Sequence, residues 1–302
     1  MSNCVKKVIW SATPTPFLDS GALDLASLER VVEHHVKMGV SGLFLGGTCG
    51  EGPFMPDSQR LELVRETKRL AAGRLQLALQ VSDTSAARVV ENIHAAEGAG
   101  ADYVVVAPPW ISRFCNSNFA RRYFSEAIEA ARLPVGLYVL AQPPETGIDM
   151  SLWCEFAAHP KVKILKDSSC NDEYAAAFVE LRQKRDDLLL LTGFEFDVVK
   201  TLNMGYDGGL LGTAIIISGL MHKLLEALES GDTATAVQWQ ERANGLMYDI
   251  FGRDIGLWMG GLKHALRLMG LFSTEFMHLG YKLTDAERSR IAAALEREAE
   301  FL

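Results

Sequence analysis

The chain has 302 residues, 48% hydrophobic and 23% charged, a balance that suits a globular protein of two ordinary domains or one large α/β barrel. Its formal net charge of -8 excludes a protein that tracks nucleic-acid phosphates, which needs a basic stripe. Five scattered cysteines (Cys4, Cys49, Cys115, Cys154 and Cys170) form no C-x-x-C pair, so neither a disulfide framework nor a zinc site is suggested, only reduced thiols.

Residues 1–7 are polar and lack the apolar run of a signal peptide, and no window approaches the ~18 apolar residues that span a membrane. The expectation is a soluble, cytoplasmic protein. Along the chain, short apolar runs alternate with stretches of helical periodicity. The first predicted strand, 8–12, leads into Ala12-Thr13-Pro14-Thr15-Pro16-Phe17, and a helix is predicted over 24–38. Adjacent His34 and His35 on it, like the other histidines, show no i, i+4 ligand pairing.

The second strand, 42–45, runs into Gly46-Gly47-Thr48-Cys49-Gly50-Glu51. Glycines there let backbone N–H groups turn toward a ligand, and the Thr48 hydroxyl adds a donor; such a nest suits a carboxylate. The alternative is a glycine-rich turn with no ligand, and Glu51 reads as a brace for the loop rather than a catalyst. Helices follow over 57–72, 84–97 and 116–131, with strands at 75–81 and 103–107 between them. Beyond the fourth strand stands Pro108-Pro109-Trp110.

The fifth strand, 135–139, carries Tyr138, whose hydroxyl can reach a neighbouring strand's amine and shuttle protons; a core aromatic is the plainer reading. After a helix over 150–158, the sixth strand, 162–165, is followed at once by Lys166. Unless paired, an amine there loses solvation, which favours the neutral form that attacks a ketone. The competing reading is a rim lysine paired with Asp167, and spacing alone leaves both open. Lys163 is placed outward, toward the helices.

Further on come helices over 172–185 and 197–204 and strands at 188–192 and 209–212. Gly39, Gly73, Gly100 and Gly205 punctuate helix ends. Eight strand–helix units point to a closed (β/α)8 TIM barrel over 1–231, and no G-x-G-x-x-G follows the first strand to support a dinucleotide fold. Only helices are predicted after Gly231 (233–251, 256–269 and 284–300), a C-terminal helical region over 232–302. In such a barrel, chemistry sits at the C-terminal ends of the strands.

Three segments together carry a resemblance: Gly47-Thr48-Cys49-Gly50-Glu51, Leu137-Tyr138, and Ile164-Leu165-Lys166-Asp167-Ser168, with 28 positions (166 − 138) from tyrosine to lysine. Gly193 and Gly205-Tyr206-Asp207-Gly208-Gly209 fall in step with them. The chain resembles, over nearly its whole length, the dihydrodipicolinate synthase and N-acetylneuraminate lyase family of class I, Schiff-base pyruvate aldolases. The resemblance implies Lys166 as the imine residue, Tyr138 as its proton carrier and Thr48 at the substrate carboxylate. It also implies Gly47, Cys49, Gly193, Glu195, Leu210 and Trp110 around the substrate, and a homo-oligomer, tetramer or dimer.

The departures are specific. Trp110 stands where the family often has a relay tyrosine, and an indole cannot accept or relay a hydroxyl proton. After Tyr138, Val139-Leu140-Ala141-Gln142-Pro143 replaces the family's Asn-x-Pro, and no arginine occurs before Arg182 to grip an aldehyde's second carboxylate. Dihydrodipicolinate synthesis is therefore disfavoured. Glu195 matches the first of two acidic residues of the sialic-acid lyases, but Phe196 replaces the second; with Trp110 and Phe194 this suits a less polar partner, or is plain packing.

Cys49 replaces a hydroxyl residue. Either its thiol faces the site, where the lysine raises its thiolate fraction, or it is a small packing residue. The expected reaction joins or splits pyruvate and an aldehyde through a lysine imine, with no metal or cofactor and no nucleic-acid or membrane partner. The rivals are a 2-keto-3-deoxy sugar-acid dehydratase and a ligand-binding barrel without catalysis.

Overall fold

The computed structural model describes residues 7–140 and 146–302, apart from the side chain of Arg113. Its centre is a closed barrel of eight strands, each parallel to both neighbours, in the order of the chain. They are β1 (Val8–Ala12), β2 (Gly42–Leu45), β3 (Gln76–Gln80), β4 (Tyr103–Val106), β5 (Val135–Leu140), β6 (Val162–Ser168), β7 (Leu189–Thr192) and β8 (Gly208–Leu211). The expected TIM barrel is therefore the fold. Closure brings β8 so near β1 that a methyl group on Gly208 would lie 1.9 Å from the Val8 carbonyl oxygen.

Around the barrel lie α1 (Leu25–Lys37), α2 (Asp57–Ala71), α3 (Ala86–Ala99), α4 (Ser117–Ala130), α5 (Met150–Ala157), α6 (Asp172–Gln183), α7 (Val198–Met204) and α8 (Ala214–Glu229). Then follow α9 (Thr233–Phe251), α10 (Trp258–Leu268) and α11 (Asp285–Arg297). Helix starts are fixed by short polar caps: Asp24, Ser85, Asn116, Asp149, Asn171, Asp197, Asp232 and Thr284 each accept a backbone N–H of the first turn. Each cap stabilises its helix by about 1 kcal/mol.

Two elements depart from the sequence reading. α8 is absent from the segments predicted above because its first two turns, Ala214–Met221, are almost wholly apolar and its charged side chains are confined to Lys223, Glu226 and Glu229: ten of its sixteen residues are buried, wedged between the barrel and α9. β6 runs three residues past the expected end, to Ser168, because Lys166 and Asp167 pair with β5 on one side and β7 on the other. A polar side chain ends an apolar run without ending a ladder that neighbours hold on both edges.

β6 also carries a bulge: Val135 pairs with Val162 but Gly136 pairs with Ile164, leaving Lys163 as the extra residue. The bulge switches the side-chain phase. Val162 belongs to the outer core between strands and helices, whereas Ile164 joins Trp10, Phe44, Val105, Tyr138, Leu191 and Leu210 inside the barrel. Lys163 points outward, to an ion pair with Asp187.

Candidate active site

Beyond the bulge, the period of two places Leu165 outside and Lys166 inside. Lys166 is 4% exposed, and its Nζ lies 4.1 Å from the Tyr138 ring centroid and 5.3 Å from that of Phe44. Tyr138 and Lys166 are register partners, and the Tyr138 and Phe44 rings meet edge to face at 5.9 Å. Among the described residues no carboxylate comes within ion-pair distance of Lys166. Asp167 faces the other side of β6, accepting hydrogen bonds from Tyr206 Oη at 2.6 Å and Ser169 N at 2.8 Å. The rim-pair reading of Lys166 and Asp167 does not hold.

Gly193 follows β7 beside this amine. A methyl group there would lie 2.7 Å from Lys166 Cε and 2.0 Å from the buried, unpartnered Ser168 Oγ. The absence of a side chain at 193 is therefore what gives the lysine stem its room.

The segment after β2 folds back tightly. Gly46 has φ +61, and a methyl group on Gly52 would lie 1.8 Å from the Gly46 carbonyl oxygen. Gly47 is packed so close to Phe44 that a methyl group would lie 2.8 Å from its ring. Thr48 at the crest is exposed, Cys49 beneath it is buried, and among the described residues neither backbone N–H donates to another residue; that of Cys49 lies against its own thiol. Adjacent N–H groups of this kind are able to cradle a carboxylate. Glu51 is wholly buried and turns away to pair with Lys263.

Burial pushes the Cys49 thiol up to about 12; Lys166 pulls it down and Glu195 adds to the rise. The expectation of a raised thiolate fraction is thereby corrected: desolvation outweighs the lysine's field, and the thiol stays protonated near neutral pH. Its sulfur sits against Gly212, where a methyl group would lie 2.4 Å from Sγ.

Glu195 is held by the turn after β8, its Oε1 accepting from Gly212 N at 2.6 Å and Thr213 N at 3.3 Å. Burial raises this carboxyl above the usual range, against the pull of Lys166 and of the Glu195, Gly212 and Thr213 N–H groups. Its Oε1 braces the turn.

Leu210 is buried within the barrel beside Trp10. Trp110 lies on the rim past β4, 37% exposed, with no ring contact among the described residues. Phe194 is exposed, whereas Phe196 stacks on Tyr248 of α9 at 5.1 Å and is a packing residue. The altered residues Ala141, Gln142 and Pro143 lie outside the described residues.

His35 is a core histidine, bonded to Ser11 Oγ and the Val31 carbonyl. Among the described residues no group of three His, Cys, Asp or Glu is placed to hold a metal, and no helix is long and apolar enough to cross a membrane. Sequence reasoning missed Phe44, although its alternate position in β2 points it inward, and it missed Lys263.

Comparison with known proteins identifies the family. The model of the dihydrodipicolinate synthetase family matches residues 6–298. The chain is 29% identical over 284 residues to 4-hydroxy-tetrahydrodipicolinate synthase 1 of Streptomyces coelicolor, covering 94% of this chain and 90% of that protein. It is 28% identical over 267 residues to an N-acetylneuraminate lyase of Escherichia coli, covering 88% and 87%. The solved dihydrodipicolinate synthase of Bacteroides thetaiotaomicron superposes with a TM-score of 0.84 at 28% identity, covering 98% of this chain and all of that one.

Proposed function

The chain belongs to the dihydrodipicolinate synthetase family and is a class I, pyruvate-dependent aldolase or lyase, and from that premise we propose that Lys166 is its imine-forming residue. The observation that carries the assignment is the buried, carboxylate-free amine of Lys166 against Tyr138 in the barrel.

In this reading the backbone N–H groups of Thr48 and Cys49, with the Thr48 hydroxyl, hold the 2-oxo acid carboxylate beside Gly47. The Lys166 amine attacks the ketone carbon. A proton is delivered to the oxygen by way of Tyr138, and water leaves to give the protonated imine. The imine draws electrons from the adjacent carbon–carbon or carbon–hydrogen bond. Cleavage passes the substrate hydroxyl's proton back to the Tyr138 oxygen, releases an aldehyde and leaves an enamine; condensation runs the same steps backwards.

Gly193 gives the imine room, Leu210 closes the barrel beneath it, and Glu195 offers its carboxyl to the distal half of the substrate. Trp110 and Phe194 favour a less polar aldehyde. Cytoplasmic placement and assembly into a dimer or tetramer belong to the same proposal.

Borohydride reduction in the presence of pyruvate tests it. One pyruvate-derived mass is expected on the peptide containing Lys166, and none in Lys166→Ala. Trapping on another lysine, or none with any 2-oxo acid, would overturn the assignment.

A further inference from the structure

One of the C-terminal helices brings a buried charge up to this site. Lys263, in the middle of α10, has no exposed surface, and its ammonium lies 4.7 Å from the Phe17 ring centroid and 5.2 Å from that of Phe272. In this apolar box it has two polar partners, Glu51 as an ion pair and the Thr15 carbonyl as a hydrogen-bond acceptor. Its Nζ is 2.8 Å from Glu51 Oε1 and donates to the Thr15 carbonyl at 2.6 Å.

Both contacts lead to the 46–51 segment. Thr15 Oγ1 donates to the Gly50 carbonyl at 2.7 Å, while Glu51 N donates to the Thr48 carbonyl at 3.2 Å. The second Glu51 oxygen accepts from His278 N at 2.7 Å. Glu51 itself holds φ +55, a left-handed conformation uncommon outside glycine, so its side chain pins a backbone that would otherwise relax.

We infer that Lys263 is a positioning residue for the 2-oxo acid carboxylate, acting through Glu51 and Thr15 to hold the Thr48 and Cys49 N–H groups in place. The inference rests on the reading of those N–H groups given above. Two physical arguments support it. Burying an ammonium and a carboxylate is expensive, and apolar residues of the same volume would pack the joint between α10 and the barrel at lower cost. Moreover, Glu51 unpaired would set a negative charge just behind the cradle, where it repels an incoming carboxylate; Lys263 cancels that charge while keeping the brace.

The test compares pyruvate with methyl pyruvate, which keeps the ketone and lacks the charged carboxylate. The readout is the concentration giving half-maximal borohydride trapping at Lys166, together with the plateau. Lys263→Met alone strands the Glu51 carboxylate, so the main variant is Glu51→Gln with Lys263→Met, which removes both charges and keeps the shape.

Half-saturation by pyruvate is expected to rise about tenfold, the loss of one charge-assisted hydrogen bond to the ligand. Half-saturation by methyl pyruvate and both plateaus should stay as in the wild type. Equal losses for the two ketones, or an unchanged pyruvate value, would overturn the inference.

Should the double variant not fold, Thr15→Val removes only the strut to Gly50. It is expected to raise the pyruvate value about threefold, again leaving methyl pyruvate unmoved; an unselective effect, or none, overturns the inference there too. Absence of trapping in the wild type would strike the function reading and this inference with it. Wild-type trapping with unselective losses strikes this inference alone.

Discussion

Lys166 Nζ stands 4.1 Å from the centre of the Tyr138 ring, and the two Cα positions are register partners across β5 and β6. The pairing fixes the amine against the aromatic face, and the Tyr138 hydroxyl makes no hydrogen bond among the described residues. Tyr138→Phe keeps the ring and its edge-to-face contact with Phe44 while removing the group that carries protons. Trapping of pyruvate should still occur at Lys166, at a rate lower by about 10²–10⁴, the usual worth of a positioned proton carrier. Stopped-time reduction measures it. A wild-type rate would make Tyr138 a packing residue.

Activity with pyruvate and aspartate semialdehyde should be absent or far below that with the true aldehyde. The sequence has no arginine between Tyr138 and Arg182, and Arg182 itself is occupied, its Nε donating to Asp207 Oδ2 at 2.8 Å. An unpaired second carboxylate would lose a bidentate partner. Coupled assay of the pair decides the point, and robust turnover would reverse it, in line with the relatives named 4-hydroxy-tetrahydrodipicolinate synthase.

The barrel was legible because its strands are buried on both faces and read as apolar runs, and because the helices between them keep one polar side. Lys166 was legible as a charge ending such a run. What lay beyond reach was set by partners distant in sequence. The end of β6 depends on ladders with β5 and β7, and the inward phase of Lys166 depends on a bulge at Lys163 that no local pattern marks. Glu51 was read as a brace, but its partner Lys263 lies at the opposite end of the chain, in a helix where no local pattern singles it out. Of the two readings of Cys49, the reactive thiolate fails because desolvation outweighs the lysine's charge, a balance that only the burial around it decides.

Cys49 should react slowly with iodoacetamide near neutral pH, since burial holds its thiol up to about 12. Cys170, exposed in the loop after β6, should label first. Mass spectrometry of timed samples, with and without pyruvate, follows both. If the sulfur lines the site, pyruvate slows Cys49 further, and Cys49→Ser retains trapping because the backbone N–H remains. Labelling of Cys49 as fast as Cys170 would contradict its burial.

His35 supplies a pH signature for the fold. Burial lowers its imidazole from 6.5 to about 3, so the native state disfavours the proton that the unfolded chain accepts. Stability from this group is complete above about 6.5 and is lost as pH falls toward 3, with a slope approaching ~1.4 kcal/mol per pH unit. Urea midpoints between pH 7 and 4, compared with those of His35→Gln, isolate the effect. Parallel curves for the two proteins would mean that His35 titrates alike in both states.

Gly193→Ala tests whether the space beside Lys166 is functional or merely tolerated. The added methyl would lie 2.7 Å from Lys166 Cε and 2.0 Å from Ser168 Oγ, and real Cβ atoms do not come under 3.0 Å. Something must move. The Gly193 backbone resists, because its N–H donates to the Asp167 carbonyl at 2.7 Å. The Lys166 stem is the softer element, and displacing it by about an ångström takes the amine off the line of attack on the ketone, a misplacement worth ~10²-fold in rate. The expected result is a folded protein, with melting temperature within a few degrees of wild type, in which trapping of pyruvate is slowed by about two orders of magnitude. Adding Ser168→Gly removes the nearer clash but leaves the one with Lys166, so it should restore only part of the rate. Full activity in Gly193→Ala would show that the amine has room to spare, and that the glycine is required for the backbone of the β7 end rather than for the imine.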